Sequence, residues 1–152
     1  MCAHELLLSK GHLLATAFSN VATDHLANAL RSSGLNVVRV GTGGRVDQRD
    51  ITLQYLMEQH VLWKKRVQIQ NQIDEMKKEE KKERESASAG SVAPMASRSR
   101  FAELKKKRDD LDGEIINSVI CEADVVCATC AGVGHPLLAN QRFSVVLVRY
   151  LL

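Results

Sequence analysis

The sequence predicts an α/β fold in which a parallel sheet is interrupted by an antiparallel pair of long helices. Two passages, Leu13 to Asp24 and Ala123 to Gly134, each run from apolar residues into small polar ones. That transition marks the carboxyl end of a parallel strand, the edge where α/β sheets bind ligands. The run Leu13 to Ala17 is continuous rather than alternating, as expected of a strand covered on both faces. Between the β patterns lies a charged stretch whose apolar residues recur at helical spacing.

Cys2 to Lys10 reads as the end of a preceding helix, and Leu13 to Ala17 as a strand. Ser19 or Asn20 then caps a helix through about Ser32, with Val21, Ala22, Leu26, Ala29 and Leu30 at helical spacing and Gly34 as the stop. Asn36 to Val40 is the next strand, closed by Gly41-Thr42-Gly43-Gly44, so that strand, helix and strand form a compact βαβ unit. A long helix is expected from roughly Leu53 to Glu85, with Leu62, Ile69, Ile73 and Met76 on one narrow stripe. Asp74 to Arg84 holds five acids and five bases, a segment highly charged but neutral in sum. Residues 86–99, rich in Ser, Ala and Gly with Pro94, read as a flexible turn. Phe101, Leu104, Leu111 and Ile115 rebuild a matching stripe, so the two helices are expected to close on each other as a hairpin. Asp124 to Ala128 and Ser144 to Val148 return to the β pattern. The expected organisation is a first sheet portion (1–52), an inserted helical hairpin (53–120) and return strands (121–152).

Composition narrows the function classes. The chain has 152 residues, 45% hydrophobic and 26% charged, with two prolines, enough apolar content for one domain's core. No apolar run approaches the roughly 18 residues that span a bilayer, and Leu6-Leu7-Leu8 is too short and wrongly flanked for a signal peptide. Four cysteines at this length make no secreted disulfide framework. No membrane partner is expected, and the setting is intracellular, cytoplasmic or nuclear. The net charge of +3 tolerates a polyanion without announcing one.

Cys127-x-x-Cys130 invites a metal or redox reading, because two thiolates at this spacing can share a tetrahedral ion. No second such pair exists, and Cys127 falls on a strand, so a structural thiol is expected and no metal is assigned. Lys105-Lys106-Lys107-Arg108, with Arg98 and Arg100, could approach a phosphate backbone. Asp109, Asp110, Asp112 and Glu114 blunt that field, and a solvated helix face is the expected role. Ser19 and Asn20 are natural caps, and Thr129 to Gly134 can be read as a glycine-rich turn after a buried strand.

Ser19-Asn20-Val21-Ala22-Thr23-Asp24, then Val37-Val38-Arg39-Val40-Gly41 and Arg45-Val46, then Ala123 to Gly134 followed by Phe143-Ser144-Val145-Val146-Leu147-Val148, taken in that order, resemble the first RecA-like domain of superfamily 1 RNA/DNA helicases. The group is that of the nonsense-mediated-decay helicase, senataxin and the mu-binding helicase, and nearly the whole chain aligns. The resemblance implies a partial RecA-like sheet of the P-loop NTPase type and ATP-dependent unwinding or remodelling of single-stranded RNA or DNA. It also implies ATP and magnesium as cofactors of the intact family. It places Ser19 and Asn20, and in a second loop Thr129 and Gly132, against the sugar-phosphate backbone. A hydroxyl, an amide and open N–H groups at a helix start can hold phosphate without reading sequence, so capping and contact coexist. Phe18 stands where the family usually has proline.

ATP hydrolysis needs a G-x-x-x-x-G-K-[ST] cradle and a carboxylate at a strand end for magnesium. Neither is present: Gly41 to Arg45 lacks the spacing and the Lys-Ser/Thr pair, and Val145 to Val148 continues into Arg149-Tyr150 where the family has Asp-Glu. By resemblance the chain is expected to be a fragment of a larger helicase that keeps weak, sequence-independent backbone contact and lacks ATP turnover of its own. The rival reading is a non-enzymatic module whose coiled hairpin docks a protein partner, which would require an uncovered stripe.

Overall fold

A computed structural model describes residues 12–41, 46–86, 95–139 and 141–150, with side chains at 46–48, 83–86 and 95–97 set aside. The expected helix at Cys2 to Lys10 and most of the Gly41 to Gly44 closure lie outside the described residues. The chain divides into two compact units, one drawn from Met1–His60 and Ile116–Leu152, the other from Val61–Ile115.

Among the described residues, the first unit is built on a four-stranded sheet in which every pairing is parallel. Strand β1 is Leu13–Ala17, helix α1 Asn20–Ser32 and strand β2 Val37–Arg39. A 3-10 turn, Val46–Ile51, leads into helix α2, Leu53–Gln59. Later in the chain come strand β3, Val125–Thr129, and strand β4, Val145–Arg149. The sheet order is β2-β3-β1-β4. The expected α/β parallel sheet is therefore present, with one difference: β1 and β2 are not neighbours, because β3 is seated between them. The βαβ unit is split, and the sequence of that unit carries no mark of the strand that enters from a hundred residues downstream.

Both inner strands are buried along their length except for the last residue of β3. Leu13, Ala15, Val37, Val125 and Cys127 pack with Leu26, Ala27 and Leu30 of α1 into one core. The alternate residues Leu14, Val38, Val126 and Ala128 are equally buried, so the inner strands are covered on both faces, which is why they read as continuous apolar runs. Strand β4 differs: Val145 and Leu147 pack against the core while Val146 and Val148 are exposed. At the amino end, Asn36 N–H donates to Asp124 Oδ2 at 2.8 Å and its side-chain amide to the Glu122 carbonyl at 2.7 Å. Strand β2 begins at Val37, one residue after the expected start at Asn36.

The second unit holds helix α3, Trp63–Ser86, and the first part of helix α4, Met95–Cys121, whose residues from Ile116 onward count with the sheet unit. The single helix expected from Leu53 to Glu85 is two. His60 closes α2 in an extended conformation (φ −69°, ψ 143°) with its N–H on the Met57 carbonyl, and no glycine or proline signals the break. The break falls at the boundary between the units. The turn expected over 86–99 is narrower, since 95–99 are helical and Ser86 still belongs to α3; residues 87–94 lie outside the described residues.

The partners across the hairpin descend on one helix as they ascend on the other. Arg66 donates to Asp112 at 2.9 Å, Arg108 reaches Gln70 at 3.3 Å, and Lys77 sits 6.0 Å from the centroid of the Phe101 ring. This is antiparallel pairing. Ile73, Leu111 and Ile115 are buried, so the centre of the stripe is consumed. No helix among the described residues is long and apolar enough to cross a membrane.

Candidate nucleic-acid interface

The two polar loops meet at one edge of the sheet. Ala17, the last residue of β1, is in register with Thr129 of β3 on one side and Arg149 of β4 on the other. Ser19 and Asn20 therefore leave the sheet beside the loop that begins at Thr129. Thr16 Oγ1 donates to Cys130 Sγ at 3.4 Å and ties the first strand to the second loop.

The hydroxyls of Ser19 and Thr129 at this edge are caps. Ser19, in extended conformation before α1, accepts the Ala22 N–H on Oγ at 3.1 Å. Its carbonyl takes the Thr23 N–H at 3.0 Å and the Thr23 hydroxyl at 2.8 Å. Thr129 does the same for the short helix α5, Cys130–Val133, accepting the Gly132 N–H on Oγ1 at 3.0 Å. A Cβ on Gly132 would come within 2.9 Å of that hydroxyl oxygen, so the glycine is what lets the threonine close over its own turn. In both caps the oxygen accepts and the hydroxyl hydrogen is still able to donate.

Asn20 is exposed at the start of α1, and its Oδ1 accepts from Nη2 of Arg39 at 3.0 Å. Arg39, on β2, is 1% exposed and paired through Nε with Asp24 Oδ1 at 2.9 Å; another of its nitrogens donates to the Val40 carbonyl. Arg39 and Asp24 were not among the site residues the sequence pointed to. The available signal was a charge inside an apolar run, Val37-Val38-Arg39-Val40, with an acid in the preceding helix to meet it.

Cys127 is fully buried, and burial pushes its thiol up to about 12 against the opposing charge of Arg39. It is held as a neutral thiol, poorly suited to ligate a metal, and among the described residues no three His, Cys, Asp or Glu side chains come together to hold an ion. The basic run sits on α4 in the hairpin: Lys107 pairs with Glu103 at 2.7 Å and Arg108 with Asp109 at 2.5 Å. Lys107, by hydrogen bond first and then by charge, holds the Glu103 carboxyl below its ordinary value.

Among the described residues, the strand ends do not suit a magnesium nucleotide. The strand ends in register across β3, β1 and β4 are Thr129, Ala17 and Arg149, with a cation where a carboxylate would be needed to hold the metal.

A family model described as an AAA domain matches residues 5–148. The ATP-dependent helicase NAM7 of Saccharomyces cerevisiae is 32% identical over 145 residues, 95% of this chain and 13% of that protein. An uncharacterized ATP-dependent helicase of Methanocaldococcus jannaschii is 27% identical over 177 residues, again 95% of this chain and 27% of that protein. The regulator of nonsense transcripts 1 of Caenorhabditis elegans is 25% identical across 95% of the chain and 12% of its own length. The chain thus spans roughly a quarter or less of the relatives it matches. With its parallel sheet and ordered loops it belongs to the AAA domain family, in the superfamily 1 line of nonsense-mediated-decay helicases, and corresponds to part of their first RecA-like domain.

Proposed function

We propose that this chain is the part of an ATP-dependent RNA/DNA helicase that grips the backbone of a single strand, and that it turns over no ATP by itself. The hairpin of α3 and α4 is an insertion in the RecA-like domain, and the setting is cytoplasmic or nuclear. The contact residues are Ser19, Asn20, Thr129 and Gly132. The observation that carries this reading is that two cap hydroxyls and one amide share the carboxyl edge of adjacent strands with their acceptor atoms already engaged inward. Such a rim offers hydrogens and few acceptors. Phosphate and sugar oxygens are its natural complement, and sequence is not read. Gly132 keeps the second loop low enough for close approach.

Binding is expected to be weak, to fall steeply as salt rises, and to be similar for RNA and DNA homopolymers. A filter-binding series from low to moderate salt tests this, and a flat or blank series rejects it. Magnesium-dependent ATP turnover by the purified chain would overturn the second half of the reading. The rival, a protein-docking hairpin, is disfavoured by the burial of Ile73, Leu111 and Ile115.

A further inference from the structure

The exposed amide of Asn20 is not an independent group. Its oxygen accepts from Arg39 Nη2 at 3.0 Å, and a guanidinium carries donors only. The amide can meet it only through oxygen, so the NH2 is left to donate elsewhere. An asparagine without such a neighbour rotates and offers a donor or an acceptor to whatever approaches; this one is polarised.

Arg39 is itself held in place. It is 1% exposed, its Nε donates to the buried Asp24 at 2.9 Å, and it donates also to the Val40 carbonyl. Gly41, at φ +114°, leaves the room it needs: a Cβ there would lie 3.3 Å from Arg39 Nη1. A buried ion pair between β2 and α1 thereby sets which face of a surface amide reaches solvent.

We infer that Arg39 is a positioning residue for ligand contact, locking Asn20 with its donors outward so that the site selects a ligand edge made of acceptors, the phosphate and sugar oxygens of a nucleic-acid backbone. The inference rests on the backbone-binding reading above and adds the residue that gives it polarity. Arg39 touches no ligand; it acts through Asn20.

The test uses the full chain and a fluorescein-labelled oligothymidylate at low salt, with a melting curve for every variant. Asn20→Ala removes one hydrogen bond to a charged oxygen and weakens binding about tenfold. Asn20→Asp keeps a partner for Arg39 but presents a carboxylate oxygen in place of the NH2, and binding falls further than in Asn20→Ala at an unchanged melting midpoint. Arg39→Lys, whose single amine cannot bridge Asp24 and Asn20 together, weakens binding in the natural background and has little effect on binding in the Asn20→Ala background. An equal loss in both backgrounds makes Arg39 merely structural and overturns the inference. If Arg39→Lys does not fold, the Asn20 pair decides: Asn20→Asp binding as well as Asn20→Ala, or better, overturns it. Absence of binding by the natural chain fails the backbone reading itself and the inference with it, whereas binding with the wrong Asn20 ranking fails the inference alone.

Discussion

At the scale of single residues, two ion pairs of similar length have different consequences. Arg31 and Asp50 meet at 2.5 Å with both side chains nearly half exposed, and Arg31 holds the Asp50 carboxyl below its ordinary value chiefly by hydrogen bonding. Arg39 and Asp24 meet at 2.9 Å with both side chains at 5% exposure or less. Asp50→Ala should cost about 0.5 kcal/mol or less in urea unfolding. Asp24→Ala leaves a buried guanidinium without its counter-charge and should cost about 3 to 5 kcal/mol; near-equal losses would contradict this account. Cys127 gives a pH signature. Its folded value lies near 12 against an ordinary 9.0, so the native state holds the proton more tightly than the unfolded chain. Its contribution is complete below about pH 9 and declines as pH rises toward 12. Urea midpoints at pH 7.5 and pH 10 should fall more for the natural chain than for Cys127→Ala, and native alkylation should reach exposed Cys121 before Cys127.

At the scale of elements, Ser19 separates two roles. Glycine is almost as good an N-cap as serine, whereas alanine costs about 1 kcal/mol. Ser19→Gly should therefore keep helix α1 within a few tenths of a kcal/mol of its natural stability, and Ser19→Ala should lose about 1 kcal/mol, measured by thermal melting. Because both lack the hydroxyl, both should weaken oligonucleotide binding alike; a Ser19→Gly chain that binds normally would reduce Ser19 to a cap. The elements β1, α1 and β3 were legible because continuous apolar runs ending in Ser-Asn or Thr leave few alternatives. The break between α2 and α3 was not legible. Leu53 and Met57 are buried in the sheet unit while Ile73 is buried in the hairpin, and a sequence stripe records that a residue is apolar without recording which core takes it. The pair Arg39 and Asp24 was missed for a related reason: a charge within a strand does not show along the chain whether it is buried or which acid meets it.

At the scale of the whole molecule, the sheet is graded from its centre toward β4, while β2 at the other end is buried along its three residues. β1 pairs on both sides and is buried throughout; among the described residues β4 pairs on one side only, and it exposes Val146 and Val148. Native-state hydrogen exchange should show the slowest amides in β1 and β3 and faster ones in β4. Uniform protection across all four strands would contradict the grading. The α/β class, the two loops that follow inner strands, the helical hairpin and the family could all be read along the chain, because burial on two faces, capping chemistry and helical period are written locally and in order. Folding alone places β3 between β1 and β2, aligns Ala17 with both Thr129 and Arg149, and brings Arg39 to the Asn20 amide. These are pairings between residues far apart in the chain, selected by register and by the need to satisfy a buried charge, and no local pattern encodes them.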